Sequence, residues 1–195
     1  MPIEARLFTV GHSNLDPADF VALLAGAGVT AVADVRSSPF SRRLPHFNRQ
    51  PLEALLRHHG LAYAFLGAQL GGRPDDPALY HPEGWADYER IRATPAFQKG
   101  LARLLQGAER YRVALLCAEE GPLDCHRGLM ITPALKERGA APLHVRRGGR
   151  LETTAQFEQR LQDATGLGAL FPETLAEAYR VMNRKRAFRR EDEGG

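Results

Sequence analysis

The sequence predicts an α/β protein: a three-layer α/β/α sandwich on a mainly parallel sheet of about five strands, with helices appended after it. Two observations carry this expectation. Short apolar, β-rich runs alternate with segments of helical spacing from residue 7 to about residue 147, the pattern of strands joined through helices on both faces of a sheet. The first of these alternations is a complete βαβ unit within residues 7–35, and such a unit favours parallel strands.

Leu7-Phe8-Thr9-Val10 is the first strand and ends in Gly11-His12-Ser13-Asn14. Asp16 then suits a helix N-cap, with Pro17 at the first helical position and Asp19 in the first turn. Phe20, Leu23, Leu24 and Ala27 mark its buried stripe, and Gly26 and Gly28 stop it. Ala31 to Val35 is the second strand, followed by a basic loop, Ser41-Arg42-Arg43, and a short helix from Pro51 to Gly60. Leu61 to Leu66 is the third strand, leading into Leu70-Gly71-Gly72-Arg73-Pro74. A helix is expected over Trp85–Ala93 and another from Thr94-Pro95, with Phe97, Leu101, Leu104 and Leu105 inward and Gly107 as its stop. Val113 to Cys117 is the fourth strand. The helix after it should have Asp124 as N-cap, a kink at Pro133 and Gly139 as terminator. Leu143-His144-Val145 is the fifth strand, and Gly148-Gly149 suits a small hairpin. Beyond Thr153 two helices follow, one carrying Phe157 and Leu161, the other starting at Pro172 with Leu175, Tyr179 and Met182.

Residues 1–150 are therefore expected to form the α/β core and 151–195 a helical extension packed on the same domain, with a frayed tail from about residue 184. With 44% hydrophobic residues the chain can build a core without staples. No stretch approaches the roughly 20 apolar residues that span a bilayer, and the acid-containing start runs straight into a strand rather than reading as a signal peptide. A cytoplasmic protein without membrane contact is the expectation. The two cysteines, 117 and 125, lie in a polar stretch and are read as reduced thiols. Residues 1–179 hold 20 Lys+Arg against 20 Asp+Glu, while residues 180–195 hold 6 against 3, so the net charge of +3 belongs to the tail. A neutral body argues against a large phosphate-backbone footprint.

Chemistry concentrates in residues 117–127, Cys-Ala-Glu-Glu-Gly-Pro-Leu-Asp-Cys-His-Arg. Parallel strands point one way, so the loops that follow them share an edge, where open α/β sheets hold ligands. Gly11-His12-Ser13, Asp34-Val35-Arg36, Gly71-Gly72-Arg73 and Glu119 through Arg127 are placed on that rim; His58, His59, His81 and His144 are not. Those rim motifs, read as Val10-Gly11-His12-Ser13-Asn14, Asp34-Val35-Arg36 with Pro39 and Ser41, Leu70-Gly71-Gly72, Cys117-Ala118-Glu119 and Cys125-His126-Arg127, resemble the bacterial and archaeal family called Domain of Unknown Function 488. The resemblance spans about residues 7–147 and implies an α/β fold with a shared polar site, without supplying an activity.

Cys125 is expected in the first turn of a helix beside His126 and Arg127, where the helix dipole and adjacent cations lower a thiol pKa. Cys117 reads more readily as a core thiol, while strand alternation points Glu119 the same way as Cys117. The leading reading is a hydrolase or transferase acting on a phosphate-bearing or other anionic, nucleotide-like substrate. Cys125 is its nucleophile; His12, Asp34 and Glu119 move protons; Arg36, Arg73, Arg127, His126 and Ser13 hold the substrate. A phosphatase loop needs Cys and Arg six positions apart, and the residue six after Cys117 is Leu123, which excludes that chemistry. A non-catalytic nucleic-acid binder using Arg42, Arg43 and the tail is the alternative. A metal protein using Cys117, Cys125 and His126, with His12 as a further ligand, is the third. No cofactor and no oligomeric state follow from the residues.

Overall fold

The computed structural model describes residues 6–166 and 172–190. Its sheet has the strand order β3-β2-β4-β1-β5-β6, with β1 Leu7–Gly11, β2 Ala31–Asp34, β3 Ala62–Phe65, β4 Val113–Cys117, β5 Leu143–Val145 and β6 Leu151–Glu152. The first five strands run parallel, and β6 returns antiparallel on β5. The sixth strand goes beyond the expected five. It is the return arm of the hairpin turned by Gly148 and Gly149, both at positive φ.

Alternation along the central strands builds two cores. Phe8 and Val10 of β1 and Ala114 and Leu116 of β4 face α1 (Pro17–Gly26) and α2 (Arg49–His58), which contribute Phe20, Leu24, Leu52 and Leu56. Leu7, Val113 and Leu115 face the other way. There they meet α4 (Tyr88–Ala93), α5 (Pro95–Ala108), α6 (Thr132–Lys136), α7 (Thr154–Thr165) and α8 (Pro172–Arg186), while the four-residue α3 (Gly67–Leu70) closes the β3 loop. The helices after β1 and β4, which are neighbours, thus lie on opposite faces. That divergence opens a crevice at the carboxyl ends of the two strands.

Side-chain caps open α4, α5 and α7, whereas the Asp16 side chain makes no cap hydrogen bond at α1. Pro17 opens α1, Thr94 accepts from the Phe97 N–H to open α5, and Thr153 and Gln156 form a reciprocal capping box on α7. The segment after β4 departs from expectation. Asp124 closes a 3₁₀ turn, Pro122–Asp124, instead of capping the helix. Cys125 is extended, and its carbonyl accepts from Gly128 and Leu129 at 3.1 Å. The helical run then opens as a π turn, Arg127–Ile131, before α6. Pro133 has no N–H to offer an α ladder and crowds the preceding turn, so the expected kink takes the form of a widened turn ahead of it. Where the sequence alone suggested a frayed tail, residues 184–190 are tied down. Ala86 N donates to Phe188 O at 2.9 Å, Arg190 N to Gly84 O at 3.0 Å, and Ala187 is buried; residues 191–195 lie outside the described part. No helix among the described residues is long and apolar enough to cross a membrane.

Candidate functional site

A cleft of about 430 Å³ occupies the crevice, lined among others by His12, Ser13, Arg36, Arg73, Cys117, Glu119, Cys125 and His126. Two close backbone approaches make it. The end of β1 is stitched to the end of β4 by His12 N to Cys117 O (3.0 Å) and Ser13 N to Ala118 O (2.8 Å). Gly11 has no room for a Cβ because the Glu119 carbonyl occupies that space, and Gly72 lies against the His126 side chain in the same way. Ser13 itself sits at φ 46, a conformation rarely taken by residues other than glycine and one that concentrates at functional sites.

Asp34 is fully buried beneath the wall. It grips Arg36 in a two-pronged pair, Nε to Oδ1 at 2.9 Å and Nη2 to Oδ2 at 2.6 Å, and also accepts from the Arg36 N–H and from the Tyr63 hydroxyl at 2.9 Å. With its lone pairs taken, Asp34 is a holder of Arg36 and does not line the cleft. Arg36 does line it. Its Nη1 donates to His12 Nε2 at 3.2 Å, while His12 Nδ1 donates to the Ser13 carbonyl at 2.9 Å. That arrangement requires a neutral imidazole protonated on Nδ1. Burial, with the neighbouring Arg36 charge, pulls the His12 pKa down to about 4 despite the Ser13 hydrogen bond, and Phe47 stacks on the ring at 4.2 Å.

On the cleft floor Cys117 Sγ donates to Glu119 Oε2 at 2.8 Å and lies 3.6 Å from His126 Nδ1. The alternation expected of positions 117 and 119 therefore holds, and it brings Cys117 to the cleft although the residue is buried. Burial pushes the Glu119 carboxyl up, but the Cys117 hydrogen bond and a backbone hydrogen bond, with the Arg127 charge, outweigh it and hold the pKa below the ordinary value. His126 Nε2 donates to the Val35 carbonyl at 2.9 Å, which leaves Nδ1 as the lone-pair atom facing Cys117.

Cys125 and Arg127 differ from their sequence-based roles. Cys125 stands just before the helix, not in its first turn, and burial pushes its thiol well above the ordinary value, where a lowered one was expected. Arg127 is 1% exposed and does not line the cleft. Its guanidinium ties the loop together, Nη1 to Glu119 O at 2.6 Å and to Cys125 Sγ at 3.0 Å, Nη2 to Glu120 O at 2.5 Å. Several lining residues were not read as site residues from the sequence, among them Ser37, Ser38, Tyr88, Arg186 and Phe188. Arg186 pairs with Asp124 at 3.3 Å, and the Arg73 guanidinium lies 4.6 Å over the Phe188 ring. Only the arginine-rich composition of 184–190 could have drawn notice to Arg186 and Phe188. His58, His59, His81 and His144 stay off the cleft, as expected.

A mainly parallel sheet with helices on both faces, and a polar cleft where neighbouring strands send their helices apart, defines a doubly wound α/β protein. Within that class the chain belongs to the family described as domain of unknown function DUF488, which matches residues 16–132. No curated protein and no solved structure matches the chain.

Proposed function

We propose that this protein is an enzyme of the hydrolase or transferase type, acting on a small phosphate-bearing or otherwise anionic molecule held in the cleft. The observation that carries the reading is the pairing, in one cleft of about 430 Å³, of a cationic and hydroxyl-bearing wall with a reactive floor. Arg36, Arg73, Arg186, Ser13, Ser37 and Ser38 supply the wall, and Cys117, Glu119 and His126 the floor. The volume suits a metabolite and not a polymer. Asp34 and His12 engage three of the five N–H groups of Arg36, and the remaining donors are held by a pre-oriented side chain, as anion recognition requires. Glu119, ionised and beside the floor groups, is the proton acceptor. Burial pushes the Cys125 thiol up and Arg127 Nη1 donates to its sulfur at 3.0 Å, so the attacking role suggested for it does not carry over; the chemistry is assigned to the floor cluster as a unit.

The nucleic-acid reading draws less support from the same structure. The arginines that gave the tail its charge engage the body: Arg184 pairs with Glu83 at 2.9 Å, Arg189 donates to Glu83 O at 3.0 Å, and Arg190 lies 5.2 Å over the Tyr80 ring.

Calorimetry with phosphate, pyrophosphate and mononucleotides tests the proposal. Arg73→Ala removes a cleft cation that is not part of the buried Asp34 pair, and should weaken the ligand that binds by about 1.5–3 kcal/mol if a charge-assisted hydrogen bond is lost. Binding that survives in Arg73→Ala and Arg186→Ala alike, or short DNA binding with a steep salt dependence while small anions do not bind, would overturn it.

A further inference from the structure

Three ligand-type atoms meet on the cleft floor: Cys117 Sγ from the end of β4, Cys125 Sγ, and His126 Nδ1, all within 4.8 Å of one another. They are the reduced-thiol and imidazole donors that select zinc-class transition metals over magnesium or calcium. Each is also arranged as a ligand would be. The His126 Nε2–H is fixed on the Val35 carbonyl at 2.9 Å, the outer hydrogen bond that metal-binding histidines use to set tautomer and ring orientation. Arg127 Nη1 donates to Cys125 Sγ at 3.0 Å, a contact with little purpose for a packed thiol and a strong one for a thiolate. The spacing agrees too. In a tetrahedral site with metal–sulfur bonds of about 2.3 Å and metal–nitrogen bonds of about 2.0–2.1 Å, sulfur and nitrogen lie about 3.6 Å apart; Cys117 Sγ and His126 Nδ1 are separated by 3.6 Å.

We propose that Cys117, Cys125 and His126 form a three-ligand site for a zinc-class divalent metal, its fourth position open to the cleft beside Glu119. The inference rests on the reading of this cleft as a reaction site and names the cofactor class that the floor takes. Two cysteines and one histidine with one open position form a catalytic, not a structural, ligand set. Binding converts both thiols to thiolates and the two protons leave to solvent, so uptake falls with acidity. The divalent charge is balanced by the two thiolates. Glu119, 2.8 Å from Cys117 Sγ, is then placed to accept a proton from whatever occupies the open position, and the wall arginines orient the anion toward it.

Anaerobic titration of the reduced, metal-free full chain with cobalt(II) tests this. One ion per chain is expected, with a near-ultraviolet thiolate charge-transfer band and the intense visible bands of four-coordinate cobalt, both abolished by zinc. Cys117→Ser, Cys125→Ser and His126→Asn should each weaken uptake by about 100-fold or more, whereas Arg73→Ala should keep the metal and lose anion affinity. Arg73→Ala therefore separates failure of the metal site from failure of the anion reading. X-ray absorption on the unmutated zinc protein gives a second readout free of folding effects: two sulfurs per zinc are expected. A weak six-coordinate oxygen-type spectrum, a zinc shell without sulfur, or uptake unchanged in both serine variants would overturn the proposal.

Discussion

One carboxylate, Asp34, sets the position of the cationic wall. It is fully buried, so its charge is tolerable only because Arg36 and Tyr63 saturate it. The contacts are unequal in consequence. Tyr63→Phe removes one partner of an otherwise satisfied group and should lower stability by about 1 kcal/mol. Asp34→Ala leaves a guanidinium with little solvent access and no counter-charge, and should lower it by about 3–5 kcal/mol; urea midpoints of the two variants against the parent check the ordering. Two other buried groups, His12 and His144, contribute acid sensitivity, and His144 has the lower pKa of the two. His144 accepts no charge easily: burial, and the charges of Arg127, Arg146 and Arg160, pull its pKa from 6.5 to about 3. The unfolded chain takes up this proton near pH 6.5 and the folded chain only near pH 3, so stability present above about pH 6.5 is lost as the pH falls toward 3. His144→Gln should flatten the pH dependence of unfolding in that window. A slope equal to the parent's would show that other groups set it. At this scale Asp34 and Arg36 were legible as rim residues, although read as a proton mover and a substrate holder and not as a buried pair. Tyr63 was not, since its hydroxyl arrives from a neighbouring strand that sequence order does not place.

Among the elements, the strands were the most legible, for their apolar runs are bounded by glycine and polar residues and need only period-two alternation to be seen. The run from Cys125 to Lys136 was not. Its apolar residues fit helical spacing, but spacing alone does not distinguish an α turn from the wider π turn that Pro133 follows, and the early 3₁₀ turn moves the start past Asp124. That shift takes Cys125 out of the first turn and with it the expected thiolate. Close contact between loops is equally hidden in sequence, though glycine marks it. A methyl group at position 72 would meet the His126 side chain, and one at position 11 the Glu119 carbonyl. Gly72→Ala should therefore shift the imidazole by tenths of an ångström and lower stability by about 1–3 kcal/mol, reducing ligand affinity more than an exposed control such as Gly26→Ala, which meets nothing within 4 Å. Equal effects of the two substitutions on ligand affinity would remove Gly72 from any part in shaping the cleft.

Across the whole molecule, the cleft draws on both ends of the described chain. The family match covers 16–132, yet His12 precedes it, and Arg186 and Phe188 follow it by more than fifty positions. Sequence reasoning placed the rim by following strand ends, which could not include a segment that reaches the cleft by crossing from α8 to pair near Gly84 and Trp85. Asn183 anchors that crossing, accepting from Tyr88 N at 3.0 Å and donating to Ala86 O at 2.9 Å. Removal of residues 184–195 should consequently lower the melting temperature and weaken anion binding, because Ala187 leaves the core and Arg186 leaves the wall. A truncated protein with the parent's melting temperature and anion affinity would show the segment to be dispensable.

That crossing has a consequence for a chain emerging from the ribosome. Both thiols and the histidine between β4 and α6 are made well before Phe188, so for the time needed to add some sixty residues the floor exists behind an unfinished wall. Pairings between such distant positions form late in folding as well as in synthesis. A chain stalled with residue 183 just clear of the exit tunnel should then expose Cys117 to a thiol reagent more readily than one in which residue 190 has cleared it, and equal reactivity would show that the segment does not cover the floor.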